Sequence, residues 1–240
     1  MKLPTRGRGA DRQATAVRNN AAWCETVCRA VGLATTVDED LWTVQGAPPP
    51  FYPAAVTLRP DVVVGRVLTA VADRPTAGVK DSFAGLDMYR HGFHELFAAR
   101  WIHRPAAPAP ADTGGWTVVR SPTELAAWAD ACESSGTFDP ALLDADGVHF
   151  LAHYDDGRIG AGAILNLAAE AVGVSNVFAT APPADRISPY ASPWPAIVAS
   201  AGRIFPGRPL VGYEHGADLD AARSAGFSDV GALRIWVRDS

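Results

Sequence analysis

Residues 172–194 read VGVSNVFATAPPADRISPYASPW, and their reading decides the fold. The stretch opens as an apolar strand, Val172 to Phe178, breaks into a proline-rich turn, and enters a helix expected from Trp194 to Phe205. A strand that runs through a turn into a helix is where many α/β proteins hold a ligand. The first N–H groups of the helix point there. The turn carries prolines at 182, 183, 189, 193 and 195 and no glycine. Proline removes the N–H donors that an anion site needs.

Outward toward the C-terminus, Pro206-Gly207 stops the helix and Leu210 to Glu214 reads as a strand. Asp218 to Ala225 follows as a helix closed by Gly226, and Val230 to Val237 is the last strand. Outward toward the N-terminus, strands Val148–Tyr154 and Ile159–Asn166 flank Asp155-Asp156-Gly157-Arg158, and Asp-Gly is a strong hairpin signal. Before them, Ser121-Pro122-Thr123-Glu124 combines a Ser cap, a first-turn Pro and a Glu three residues on, which starts a helix. Strand Trp116–Arg120 precedes it. The order over this half is β-α-β-β-β-α-β-α-β.

Alternating Pro and Ala from Arg104 to Asp112 favour an extended connection. The expected division is an unstructured tail over 1–16, an N-terminal α/β region over 17–105, a linker over 106–114 and a second domain over 115–240. In the first region Asn19 or Asn20 is expected to cap a helix from Ala21 to Ala30. Strands are expected at 41–44, 54–58, 77–83 and 98–103, with helices over 62–72 and after Phe93. Gly92-Phe93 and Gly226-Phe227 lie 134 residues apart. Each precedes a strand with adjacent Trp and Ile, Trp101-Ile102 and Ile235-Trp236. That pattern suggests a divergent tandem repeat.

The segments HFLAHYDDGRIGAGAIL (149–165), VGVSNVF (172–178) and ADLDAARSAGFSDVGALRIWV (217–237), in that order, resemble the GNAT superfamily of N-acyltransferases. The resemblance covers about residues 115–237, and the first half resembles a shortened GNAT unit. It implies an α/β (α+β) fold, with a mixed central sheet flanked by helices. It also implies acyl transfer from acetyl-CoA or another acyl-CoA to a small amine or amino-acid-like substrate. In GNAT proteins a motif resembling (R/Q)xxGx(G/A) cradles the CoA pyrophosphate; the loop here has no glycine and offers Arg186 alone. By the resemblance, Val174, Ser175, Asn176 and Val177 lie where backbone groups meet the acyl group. Glu214 or His215 at the next strand's end is the expected general base. Tyr213 and Tyr190 substitute for a general-acid tyrosine that the last helix lacks.

In the first half, alternation places Lys80 and Ser82 on one strand face, where they could bind a carboxylate or phosphate, with Asn20 and Tyr190 as further substrate contacts. Two alternatives stay open: a catalytically degenerate GNAT-like protein that binds a small molecule or a protein, and acyl transfer from an aminoacyl-tRNA.

Composition sets the outer bounds. The 240 residues are 48% hydrophobic and 20% charged, ordinary for a globular chain with a full core. A net charge of −5 argues against general nucleic-acid binding, so tRNA enters only under the last alternative. No apolar run reaches the roughly 18–20 residues of a membrane span. Cys24, Cys28 and Cys132, with no secretory signal, point to reduced thiols and a cytoplasmic protein, while Arg in place of Lys with abundant Ala, Gly and Pro reads as the coding bias of a GC-rich, bacterial-type genome. Cys24 and Cys28 share a helix face but lack two further ligands, so no metal is expected.

Overall fold

The computed structural model describes residues 8–107, 114–180 and 192–239. Its helices are α1 (Arg8–Ala30), α2 (Val64–Ala70), α3 (Pro122–Ala131), α4 (Trp194–Ile204) and α5 (Gly216–Ser224). Strands β1 (Thr35–Val37), β2 (Leu41–Val44), β3 (Ala55–Thr57), β4 (Ala77–Asp81) and β5 (His94–Arg104) come from the first half. The second half supplies β6 (Trp116–Val118), β7 (Val148–Asp155), β8 (Arg158–Ala168), β9 (Ala171–Ala179), β10 (Leu210–Glu214) and β11 (Ser228–Arg238). All join one mixed sheet in the order β1-β2-β3-β4-β11-β5-β10-β9-β8-β7-β6. No described helix is long and apolar enough to cross a membrane.

The strands on the two sides of the β11–β5 pair follow the same scheme, with one more strand, β6, at the far edge of the second side. On each side a parallel pair, β3–β4 or β9–β10, is joined by a crossover helix, α2 or α4. Parallel neighbours require such a crossover, whereas antiparallel ones need only a turn. Each half then gives its last strand to the other. β5 ends the first half but lies against β10, and β11 ends the chain but lies against β4. Both exchanged strands have eleven residues. Within them Arg100-Trp101-Ile102-His103-Arg104 matches Arg234-Ile235-Trp236-Val237-Arg238. In register, Arg100 faces Glu214 and Arg234 faces Asp81. Glu214 and Asp81 are therefore counterparts, as are Tyr213 and Lys80.

Local chemistry accounts for several elements as expected. Ser121 and Glu124 close a reciprocal capping box at the start of α3. Asp156 and Gly157 both take positive φ, 47° and 77°, the conformation a two-residue hairpin demands. Other expectations fail. Residues 8–16 are not an unstructured tail but the first turns of α1, which is alanine-rich and buries Ala16 and Val17. Asn19 and Asn20 therefore lie inside that helix and cap nothing at its N-terminus. The segment after Phe93 is not a helix; it is β5, because it pairs on both edges. The helix expected over 62–72 is shorter, Val64–Ala70, and Val63 before it is exposed.

One sheet face is covered by α1 and α3, the other by α2, α4 and α5. α1 packs on β11, β5, β10, β9 and β8 and buries Trp23, Cys24, Val27 and Cys28 as well. Full burial of each large side chain contributes about 1.5–3 kcal/mol. Asn19 fastens the helix to the β8–β9 hairpin. Its Nδ2 donates to the carbonyls of Ala168 and Ala171, both at 3.0 Å, and to that of Asn166 at 3.3 Å. Asn166 Nδ2 donates back to Asn19 Oδ1 at 3.2 Å. Gly173 is required beneath this pair, since a Cβ there would stand 2.2 Å from both amide oxygens.

Candidate functional site

β9 and β10 pair in parallel only at Val172–Leu210 and Gly173–Val211. Beyond that point the strands splay. On its other edge β9 bulges, with a register shift against β8 and Asn176 in the left-handed region at φ 50°. Asn tolerates that conformation better than most residues. Gly212 leaves room for the Val174 carbonyl oxygen, which a Cβ there would meet at 2.6 Å.

The splay opens into a cavity of about 230 Å³ between the sheet and α1. Val174, Ser175, Asn176 and Val177 line one wall, and Tyr213, Glu214 and His215 another. Lys80 and Asn20 close the far end. These nine expected site residues thus share one space, although they come from four elements. Ser82 does not share it. It is fully buried beside β4, its carbonyl accepting from Trp101 Nε1 at 2.8 Å and Gln13 Nε2 at 3.2 Å. The chain turns after Asp81, so strand alternation no longer aims Ser82 with Lys80. Arg186 and Tyr190 lie outside the described residues.

Sequence reasoning missed Trp23, Cys24, Tyr52 and Phe97, which also line the cavity. The signal available for two of them was the spacing Asn19/Asn20–Trp23/Cys24, one stripe of a longer α1. Tyr52 and Phe97 carried no pattern, because their loop and strand reach the site only through tertiary packing.

The electrostatics divide the cavity into two ends. At one, burial pushes the Glu214 carboxyl from 4.5 up to about 8, with the Asp218 charge adding to the effect. Among the described residues no hydrogen-bond donor reaches that carboxylate. His215 is exposed and packs against the Phe97 ring, centroids 5.0 Å apart. At the other end Lys80 Nζ donates to Asn20 Oδ1 at 2.7 Å and to Tyr213 Oη at 3.4 Å. It also lies 4.4 Å from the Tyr213 ring centre. Burial raises the Cys24 thiol, partly offset by Lys80, and holds the Tyr52 phenol well above its usual value. Both side chains stay neutral at ordinary pH. Ser175 Oγ is buried without a hydrogen-bond partner.

The start of α4 has a different chemistry. Its N-cap is Pro193, Pro195 follows in the first turn, and the Trp194 N–H is directed to Ser192 Oγ at 3.4 Å. The Trp194 ring is buried against Phe227. Of the first helical N–H groups only that of Ala196 is left for an outside anion, so residues 192–196 build no phosphate nest.

No family model matches the chain, and no curated protein matches it in sequence. Solved structures do match in fold. A GCN5-related N-acetyltransferase from Kribbella flavida superimposes with TM-score 0.65 at 16% identity, covering 94% of this chain and 96% of its own. A GCN5-related N-acetyltransferase from Sphaerobacter thermophilus gives 0.51 at 16% identity, covering 99% and 96%. A tandem GNAT protein from the clavulanic acid biosynthesis pathway gives 0.50 at 15% identity, covering 94% and 93%. The chain has a mixed α/β GNAT fold.

Proposed function

We propose that this GNAT-fold protein is an N-acyltransferase that moves an acyl group from a thioester donor to a small amine. The observation that carries this reading is the open β9–β10 splay ending at a half-buried, unpaired Glu214. In the reaction the amine nitrogen attacks the thioester carbonyl, the C–S bond breaks, and an amide and a thiol result. The amine must lose a proton as the C–N bond forms. Glu214, with its carboxyl raised to about 8, has a proton affinity suited to taking it near neutral pH. Backbone groups of β9 released from pairing with β10 are available to the acyl oxygen. His215 is the second candidate base, but its exposure suits it less to this role.

The described residues suit the acyl end of an acyl-CoA better than its diphosphate end. The splay accepts a narrow extended chain, whereas the proline-flanked start of α4 offers too few N–H donors for a diphosphate. The donor is therefore assigned by its thioester alone. Tyr213 is reassigned from the leaving-group acid to the acceptor end, since its hydroxyl sits with Lys80 on the α1 face.

The deciding experiment combines thermal shift, calorimetry and thiol release, using acetyl-CoA, CoA and a panel of amines. A donor at a hundred times its Kd should stabilise the protein by about 2.7 kcal/mol. Free thiol should appear only when an acceptor is present. Absence of both effects at millimolar donor overturns CoA-dependent transfer. Binding without thiol release would favour the degenerate, binding-only reading, which the α4 start supports.

A further inference from the structure

Lys80 is one of only two lysines in the chain and is 4% exposed. Its hydrogen-bond partners, Asn20 and Tyr213, are both neutral. Among the described residues no carboxylate stands within ion-pair distance. The adjacent Asp81 lies on the opposite face of β4, where Oδ1 accepts from the Phe83 N–H at 3.3 Å and Oδ2 from the Leu86 N–H at 2.9 Å. A buried ammonium is costly unless it is paired with an anion. Lys80 stands at the wall of an open cavity with one of its three N–H donors unassigned. Asn20 Nδ2 and the Tyr213 O–H have no partner among the described residues, and both groups belong to the same wall. Three donors therefore converge on one end of the cavity with no anion among the described residues to receive them.

We propose that Lys80, with Asn20 and Tyr213, binds a carboxylate of the small molecule that reacts in this cavity. The inference rests on the acyl-transfer reading for the identity of the chamber, with the amine or acyl centre near Glu214. An ammonium supplies charge and two neutral donors complete the carboxylate's acceptor sites, a charge-assisted arrangement. Two ligands carry that chemistry. One is an amino acid acting as acceptor, its amine toward Glu214 and its carboxylate toward Lys80. The other is a donor whose acyl group ends in a second carboxylate.

The test measures binding to the full chain by calorimetry and thermal shift with matched pairs. Each α-amino acid is set against its decarboxylated amine, and acetyl-CoA against malonyl-CoA and succinyl-CoA. At least one carboxylate-bearing member is expected to bind tenfold or more tighter than its partner. A preference among the amines assigns the acceptor; a preference among the thioesters assigns the donor. Lys80→Met should abolish the preference while leaving or raising the melting temperature, because it removes an unpaired buried charge. Asn20→Asp sets a carboxylate beside Lys80 from within the chain and should abolish the preference too, which covers failure of the first variant to fold. Absence of any carboxylate preference, or its survival in both variants, overturns the inference. Acylation of amines without such a preference would overturn the Lys80 role and leave acyl transfer standing. A Lys80-dependent carboxylate preference without thiol release would do the reverse.

Discussion

The two parallel pairs of the sheet have the same topology and opposite behaviour. Between β3 and β4 the pairing runs to Val56–Lys80. Between β9 and β10 it stops at Gly173–Val211, two residues earlier on the shared register. Val79 fills the position that Gly212 holds in the other pair. At the strand ends the counterpart acids differ in the same sense. Asp81 is 1% exposed and accepts two backbone N–H groups, while Glu214 receives no donor among the described residues. Thr57 Oγ1 also accepts the Ser82 N–H at 2.8 Å, closing the first pair further. The acid of the first pair is thus held by backbone donors, and the acid of the second is left without any among the described residues.

The strongest way to break this comparison is to exchange the charge at each acid. Glu214→Gln should lower kcat by about 10²–10⁴-fold with little change in KM, as loss of a general base does. Steady-state kinetics on the best acceptor checks it, and unchanged kcat removes Glu214 from the mechanism. The next largest effect should come from giving the open pair the residue of the closed one. Gly212→Val drives a Cβ into the Val174 carbonyl oxygen. Turnover and donor affinity should fall by about tenfold or more, at a stability cost of about 1–3 kcal/mol. Full activity in this variant would show that the close approach at Gly212 does not shape the site.

Asp81→Asn should act only on stability. It leaves one of two buried N–H groups without an acceptor, at a cost of about 1–3 kcal/mol. For a chain of this size that is a fall in melting temperature of roughly 2–4 °C per kcal/mol, with kcat per folded molecule unchanged. A further contrast between the two acids is the pH dependence of stability. The Glu214 carboxyl sits at about 8 in the fold against 4.5 in the unfolded chain. The native state therefore holds a proton that the unfolded state releases, so stability falls as pH rises between about 4.5 and 8. Glu214→Gln should flatten that slope in a melting series over this range. Activity in the unmodified chain should rise over the upper part of the same range. A slope identical in both proteins would assign the titration elsewhere.

Much of this was legible before folding. The strand at 172–178, the Asp-Gly hairpin, the capping box at Ser121 and the acid ending β10 are local signals. Spacing and side-chain type determine them within a few residues. The Gly-Phe pairs 134 residues apart and the Trp/Ile strands after them marked the two exchanged strands. What could not be read was their exchange. The segment after Phe93 looks helical by itself, and only pairing with β10 and β11 makes it a strand. The opening helix was also hidden, since a polar, Arg-rich start masks the stripe that buries Ala16, Val17 and Trp23.

The sequence alone determined which groups are present and what each can do locally: a carboxylate at a strand end, an apolar strand over 172–178, a helix that starts among prolines. Tertiary structure alone decided which of them meet. Lys80 and Tyr213 are 133 residues apart and touch because the exchange of β5 and β11 brings the two halves into one sheet beneath α1. Glu214 gains its raised proton affinity from burial at that junction. Burial and non-local pairing belong to the whole chain at once, so no window of residues carries them.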